Sequence, residues 1–186
     1  ALQAGLNATP AVSLLGDAGI VLRALLEALE EVSGTVSHAC WADVPDLRQA
    51  NAQHEHMHSQ FAGFFRVIDE TCPGAVVVGD STRPTYYASW LWERPAPRRY
   101  FHSVSGFGTL GYALPAALGA QIASPGTPVI AIIGDGGVMF TLSELAVAVH
   151  EQLPVKIIVW DNSGYQEIAH SMAARDIAVT TTQYSS

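Results

Sequence analysis

Two short segments hold residues whose types and spacing could do chemistry together: Gly134-Asp135-Gly136-Gly137 and Asp161-Asn162-Ser163-Gly164-Tyr165. An Asp carboxylate, an Asn side-chain carbonyl and a backbone carbonyl are hard oxygen donors. They suit magnesium, which takes its remaining ligands from phosphates and water. The N–H groups of Gly136 and Gly137, at the start of a helix, could cradle a phosphate beside such a metal. Asp, Asn and Gly are also the commonest turn formers, so two ordinary loop turns are the competing reading.

A third segment, Gly106-Phe107-Gly108-Thr109-Leu110-Gly111, matches G-x-G-x-x-G and opens a helix-forming stretch. That pattern raises an NAD- or FAD-binding module, with Asp135 as the acidic partner on the next strand. Two features count against it. His102 to Ser105 make a poor apolar strand before the turn. Asp135 sits between glycines, which let a phosphate approach the backbone, rather than alone at a strand end where a ribose would bind.

The elements that position these residues follow from the apolar runs. Strands are expected at Ala75–Gly79, Val129–Ile133 and Val155–Trp160. Helices are expected through Phe61, Phe64, Phe65, Val67 and Ile68, over Leu110–Ala123 and Leu142–His150, and near Tyr165. The strand runs do not alternate, so burial on both faces is expected. Strands alternating with helices give an α/β fold: a parallel sheet with helices on both faces. Ligands of such sheets bind at the carboxyl ends of the strands. This brings in a fourth segment, Gly79-Asp80-Ser81-Thr82, which closes the first strand.

Upstream, Val12–Leu15 reads as a short strand, and Asp17 caps a helix from about Ala18 to Val32 that Gly34 ends. The expected organisation is therefore residues 1–34 as the tail of a preceding domain, 35–58 as a linker and 59–186 as the α/β domain. His38, His54, His56 and His58 fall in the linker, where period-two spacing fits a solvated segment better than a metal site. The chain lacks an initiator Met, which suggests a fragment.

Composition narrows the function. Of 186 residues, 49% are hydrophobic and 14% charged, with a net charge of -8 and nine Lys or Arg. Such a chain can bury a core. Its one basic cluster, Arg94 to Arg99, is short and broken by prolines, which argues against nucleic acid and anionic membranes. No apolar run approaches a membrane span. Cys40 and Cys72 lack metal or redox spacing, so a reducing compartment, the cytoplasm, is expected.

The pairing of Gly134-Asp135-Gly136 with Asp161-Asn162-Ser163-Gly164-Tyr165, one helix and one strand later, closely resembles the signature of thiamine diphosphate enzymes. In that family the second half begins with an Asn pair. Here the first Asn is Asp161, while the second, the metal ligand, is present as Asn162. Leu110-Gly111-Tyr112-Ala113-Leu114-Pro115-Ala116-Ala117 is similar to the matching helix start in the acetolactate synthase and 2-oxo-acid decarboxylase branch. The likeness runs from about Phe61 to Arg175. Gly79-Asp80-Ser81-Thr82 and Gly164-Tyr165-Gln166-Glu167-Ile168 look closest to the guanidino-oxopentanoate decarboxylases.

The resemblance implies thiamine diphosphate and magnesium as cofactors. Asp135, Asn162 and the Gly164 carbonyl would bind the metal, and Gly136 and Gly137 the diphosphate. The Gly108 carbonyl would meet the 4'-amino group of the cofactor, and Leu110 would wedge beneath it. Asp80, Ser81 and Thr82 would line it, with Thr109, Gly134 and Tyr165 completing the contacts. His102 and Glu167 are candidate substrate-side groups. The substrate would be a 2-oxo acid, decarboxylated or ligated to a second carbonyl compound. The Glu that activates the cofactor's pyrimidine would come from a separate pyrimidine-binding domain of the same or another subunit. A homodimer or homotetramer is therefore implied, and inactivity of this piece alone. The resemblance also implies a further strand and helices after Arg175, so the fold is expected to be incomplete at its C-terminus. A catalytically silent regulatory subunit of the same fold stays open.

Overall fold

The computed structural model describes residues 12–31, 59–94 and 96–184. The chain divides into two units, Ala1–Pro45 and Asp46–Ser186. In the first, α1 spans Ala18–Glu31. The Asp17 carboxylate accepts hydrogen bonds from the Gly19 and Ile20 amides at 3.0 and 3.1 Å, the expected cap. Val12–Leu15, expected as a strand, has no regular structure. Four apolar residues make a strand only where another strand accepts their hydrogen bonds. The expected stop at Gly34 and the linker histidines lie outside the described residues.

The second unit carries the α/β fold. Its elements are α2 Ser59–Thr71, β1 Val76–Gly79, α3 Arg83–Leu91, β2 Tyr100–His102, a single 3-10 turn at Ser103–Ser105, α4 Ala113–Ala123, β3 Val129–Gly134, α5 Asp135–Thr141, α6 Glu144–His150, β4 Lys156–Trp160 and α7 Gln166–Ala173. The sheet order is β2-β1-β3-β4, and every pairing is parallel. From β1 the chain moves outward to β2, then returns across β1 to β3. Crossovers between parallel strands are right-handed, so reversing direction changes the face on which the connecting helix lies. Contacts show this. Phe61 and Phe65 of α2 and Tyr87 and Ala88 of α3 pack with Val77, Ile130 and Ile132 on one face. Ala113, Leu114 and Ala117 of α4 pack with Val76, Val78, Val129, Ala131 and Ile133 on the other, joined by Val138 and Leu145. The period-two alternation of strand side chains thus feeds two cores. Each large side chain so buried contributes about 1.5–3 kcal/mol.

β1 is buried throughout and β3 nearly so, but β4 is not: Lys156 and Val159 are exposed. The expectation of burial on both faces fails there because β4 is the outer strand of the described sheet. The helix expected over Leu142–His150 is α6, which starts two residues later at Glu144. A further helix, α5, begins at Asp135 itself, and a break at Leu142 and Ser143 separates the two. Arg94, from the sole basic cluster, is spent on structure. It pairs with Asp69, donates to the Ala75 carbonyl at 2.8 Å and covers the Trp92 ring. None of the described helices is long and apolar enough to cross a membrane.

Candidate functional site

Reversal of strand order between β1 and β3 opens a crevice at their carboxyl ends, the place where ligands enter sheets of this kind. A cavity of about 270 Å³ lies there. Four loops wall it. Ser81 and Thr82 follow β1, and Gly108 and Leu110 precede α4. Gly134, Asp135, Gly136 and Gly137 follow β3, and Asn162, Gly164, Tyr165 and Glu167 follow β4. The four segments singled out by sequence therefore converge on one cavity.

Asp80, Thr109 and His102 are not on its wall. Asp80 lies beneath it, fully buried. Its carboxylate accepts the amides of Ser81 at 2.7 Å and Gly111 at 2.8 Å. It thereby fastens the end of β1 to the turn that starts α4. Burial raises its pKa, and the backbone donors of Ser81, Gly111, Ala113 and Tyr112 oppose that rise. Thr109 is exposed. His102 ends β2, with Nε2 3.1 Å from Ser89 Oγ, and burial lowers its pKa.

The turn from Gly106 to Gly111 is shaped by two glycines with positive φ, 67° at Gly108 and 81° at Gly111. At Gly111 a Cβ would stand 2.9 Å from Phe140 Cβ, so the turn lies directly on α5. Thr141 Oγ1 donates to the Gly111 carbonyl at 3.0 Å from the same helix. In a dinucleotide-binding unit the acidic residue ends the strand adjacent to the one before the glycine turn. Here the flanking strands are β2 and β3, and β1 stands between them. The NAD or FAD reading of Gly106, Gly108 and Gly111 lacks the adjacency it needs.

At the other end of the cavity the β3 and β4 loops are tied together. Asp135 Oδ2 accepts the Gly164 amide at 2.8 Å. Asp161 accepts the Ser163 amide at 2.9 Å and sets the turn, with Ser163 at φ 62°. This gives the departure from the Asn pair a local structural role. The Asn162 Nδ2 group donates to Gln166 Oε1 at 3.1 Å. Asn162 Oδ1 is buried without any partner. An acceptor stripped of water and left unpaired costs about 1–3 kcal/mol, unless something electropositive occupies the space before it. With the Asp135 carboxylate on the same wall, these donors fit a hard divalent cation. No cluster of three or more His, Cys, Asp or Glu among the described residues offers another metal site.

Gly136 and Gly137 are buried at the start of α5. A Cβ at Gly136 would lie 2.6 Å from the Tyr165 ring, and one at Gly137 3.0 Å from Asp80 Oδ2. A side chain at Gly136 would displace the Tyr165 and Tyr184 rings, and one at Gly137 would crowd Asp80. Residues 182–184 cross the β4 loop. The Tyr165 amide donates to the Thr182 carbonyl at 2.7 Å, and the Tyr184 amide to the Ser163 carbonyl at 3.1 Å. Partial burial, the neighbouring Tyr165 hydroxyl and the Asp135 and Asp161 carboxylates push the Tyr184 hydroxyl up to about 12.

Sequence reasoning missed Arg83, Tyr86, Gln166 and Ile168, which also line the cavity. Arg83 could have been found: it directly follows the Gly79-Asp80-Ser81-Thr82 strand end, where a cation faces any ligand of the crevice.

Comparison with known proteins agrees with this geometry. The family model for the thiamine pyrophosphate enzyme C-terminal TPP-binding domain matches residues 78–185. A probable 2-ketoarginine decarboxylase from Pseudomonas aeruginosa is 35% identical over 170 residues, covering 90% of this chain and 30% of the relative. The chloroplastic acetolactate synthase 1 of Zea mays is 31% identical over 169 residues, covering 86% of this chain and 26% of the relative. Among solved structures, a thiamine diphosphate-dependent 4-hydroxybenzoylformate decarboxylase from Rhodococcus jostii RHA1 superposes with a TM-score of 0.59 at 30% identity. It covers 66% of this chain, which spans 23% of that protein. The chain thus spans less than a third of each of these relatives. With four loops meeting at the strand-order reversal, and the family model covering all four of them and the end of β1, the chain belongs to the thiamine pyrophosphate enzymes as a C-terminal TPP-binding domain.

Proposed function

We propose that this domain holds the diphosphate of thiamine diphosphate through magnesium, within a 2-oxo-acid decarboxylase or carboligase. The observation that carries the metal is the buried, partnerless Asn162 Oδ1 on the same wall as Asp135. Asp135, Asn162 and the Gly164 carbonyl would hold the cation. The amides of Gly136 and Gly137 would meet a phosphate of the cofactor. Gly108, Leu110, Ser81 and Thr82 would seat the rest of the cofactor, and Glu167 faces the substrate side. When bound, the cofactor supplies a nucleophilic ring carbon and an electron sink for breaking the bond to carbon dioxide. The chain's own share is orientation and exclusion of water.

The pyrimidine-activating Glu would come from a pyrimidine-binding domain of the same or a second subunit. The working form is then a homodimer or homotetramer. Residues 1–186 alone would turn over no 2-oxo acid. A cytoplasmic location fits a free, half-buried Cys72 without redox or metal spacing.

Calorimetric titration of thiamine diphosphate, with and without magnesium, on the natural protein and on Asp135→Ala tests the site. Magnesium-dependent binding that the variant loses is the expected result. Binding indifferent to magnesium, or equal binding by Asp135→Ala, would remove the proposed cation site. Asp135→Ala that leaves the activity of the assembled protein intact would instead mark a silent subunit.

A further inference from the structure

Holding a diphosphate and a cation leaves one feature of the cavity unused. Arg83 opens α3 beyond β1, and Glu167 lies in the first turn of α7 beyond β4. β3 stands between those two strands, which places their ends about 10 Å apart. The two side chains close that distance, with Arg83 Nε 3.7 Å from Glu167 Oε1. The pair therefore arches over the end of β3, where Gly134 and Asp135 lie, and both residues line the cavity.

The partners are unequal. The Arg83 side chain is 16% exposed and the Glu167 side chain 47%. A guanidinium cannot shed its charge in a protein, so burial leaves it needing anionic company. Their separation exceeds the roughly 2.7–2.9 Å of a charge-assisted hydrogen bond. Arg83 is the one Lys or Arg on the cavity wall among the described residues. In a chain of net charge -8, that makes it the one cationic side chain there to attract an oxyanion.

We propose that Arg83 is an oxyanion-recognising residue of this cavity and that Glu167 competes with the ligand for it. The proposal rests on the reading of the cavity as a diphosphate site. Two oxyanions could claim the guanidinium: a cofactor phosphate or the carboxylate of a 2-oxo acid. Chemistry favours the phosphate. A carboxylate departing as carbon dioxide loses its charge on the way, so a guanidinium held against it stabilises the starting state more than the transition state. A phosphate keeps its charge throughout. Glu167, half in solvent, can release Arg83 at small cost because a partly exposed ion pair is weak.

Competition predicts effects of opposite sign, which a merely structural ion pair does not. Titrations of inorganic pyrophosphate with magnesium, and separately of pyruvate, on the protein in its full natural length provide the test. Arg83→Gln should weaken pyrophosphate binding by about tenfold or more. Glu167→Gln should tighten it by about two- to fivefold, less so at high salt. Should Arg83→Gln fold poorly, Arg83→Lys, which keeps the charge and loses the planar fork, and Glu167→Gln at a half-exposed residue of the cavity wall still decide the matter. Unchanged pyrophosphate binding with weakened pyruvate binding in Arg83→Gln would overturn the assignment to phosphate. Weakened pyrophosphate binding in Glu167→Gln would overturn the competition. A natural protein that binds neither pyrophosphate nor thiamine diphosphate in magnesium would refute the cofactor reading itself, a separate failure.

Discussion

Asp80 and Asp135 follow the carboxyl ends of adjacent parallel strands, in near-identical settings of sequence, yet they differ in almost every physical respect. Asp80 has no exposed surface, and its two oxygens accept backbone amides from its own loop and from the turn before α4. Asp135 stands on the cavity wall, with one oxygen recorded as accepting the Gly164 amide. What separates a scaffold acid from a ligand acid is how much of its acceptor capacity the backbone consumes. β1 ends where a second loop passes close enough to donate to its acid. The loop after β3 leaves its acid on the cavity wall beside Gly134, Gly136 and Gly137.

Exchanging the two roles by mutation should fail in different ways. The largest effect is expected from Asp135→Asn. It should cost at least about a hundredfold in magnesium-dependent cofactor affinity, while denaturant unfolding shifts by less than about 0.5 kcal/mol. Asp80→Ala should do the reverse. It leaves the Ser81 and Gly111 amides buried without an acceptor, and unfolding should lose about 2–3 kcal/mol. Were Asp80→Ala as stable as the natural protein, the distinction drawn here would collapse.

Gly111→Ala tests the far end of the Asp80 contact. A methyl group would meet Phe140 Cβ at 2.9 Å from a backbone with φ 81°. A loss of about 1–3 kcal/mol is expected by thermal unfolding.

The pH dependence of Asp80 is a smaller signal. Its folded pKa is raised above 3.8. The stability tied to its protonation is therefore fully present below that ordinary value and is lost as pH rises through the folded pKa. Asp80→Asn should remove this slope from the stability profile. The smallest effect concerns His102, whose folded pKa lies below 6.5. Its contribution is present above 6.5 and is lost as pH falls through the folded value, a slope that His102→Phe should abolish in the same measurement.

Much of this architecture is legible in the residues. The Val- and Ile-rich runs of β1, β3 and β4 read as strands because they are short, apolar and β-branched, although β4 is partly exposed. The glycine–acid turns that follow them stand out against them. β2 is illegible for the opposite reason. Tyr100–His102 is three residues long, half-buried and partly polar, and it is a strand because β1 offers it partners. α3 is obscured by Pro84 and a run of aromatic residues that also suit a strand. Asp80 illustrates the limit within the site. Sequence places it beside Ser81 and Thr82 at the strand end. Whether its carboxylate faces the ligand or the protein depends on Gly111, 31 residues away. The pairing of Arg83 with Glu167 is likewise a fact of topology, since nothing local connects them. The likeness of two loops to guanidino-oxopentanoate decarboxylases has a counterpart in the relative named as a probable 2-ketoarginine decarboxylase.

The reversal of strand order has a kinetic consequence. The central pair of the sheet joins Val76 to Val129, about fifty residues apart, and the cavity exists only once that pair has formed. No hairpin or local turn can assemble the whole cavity early. The β3 and β4 loops can meet within their own unit, but the loops after β1 and before α4 join them only once β1 and β3 have paired. The emerging chain should therefore gain affinity for its ligand in one late step, after the sheet is built, rather than gradually as each loop is made.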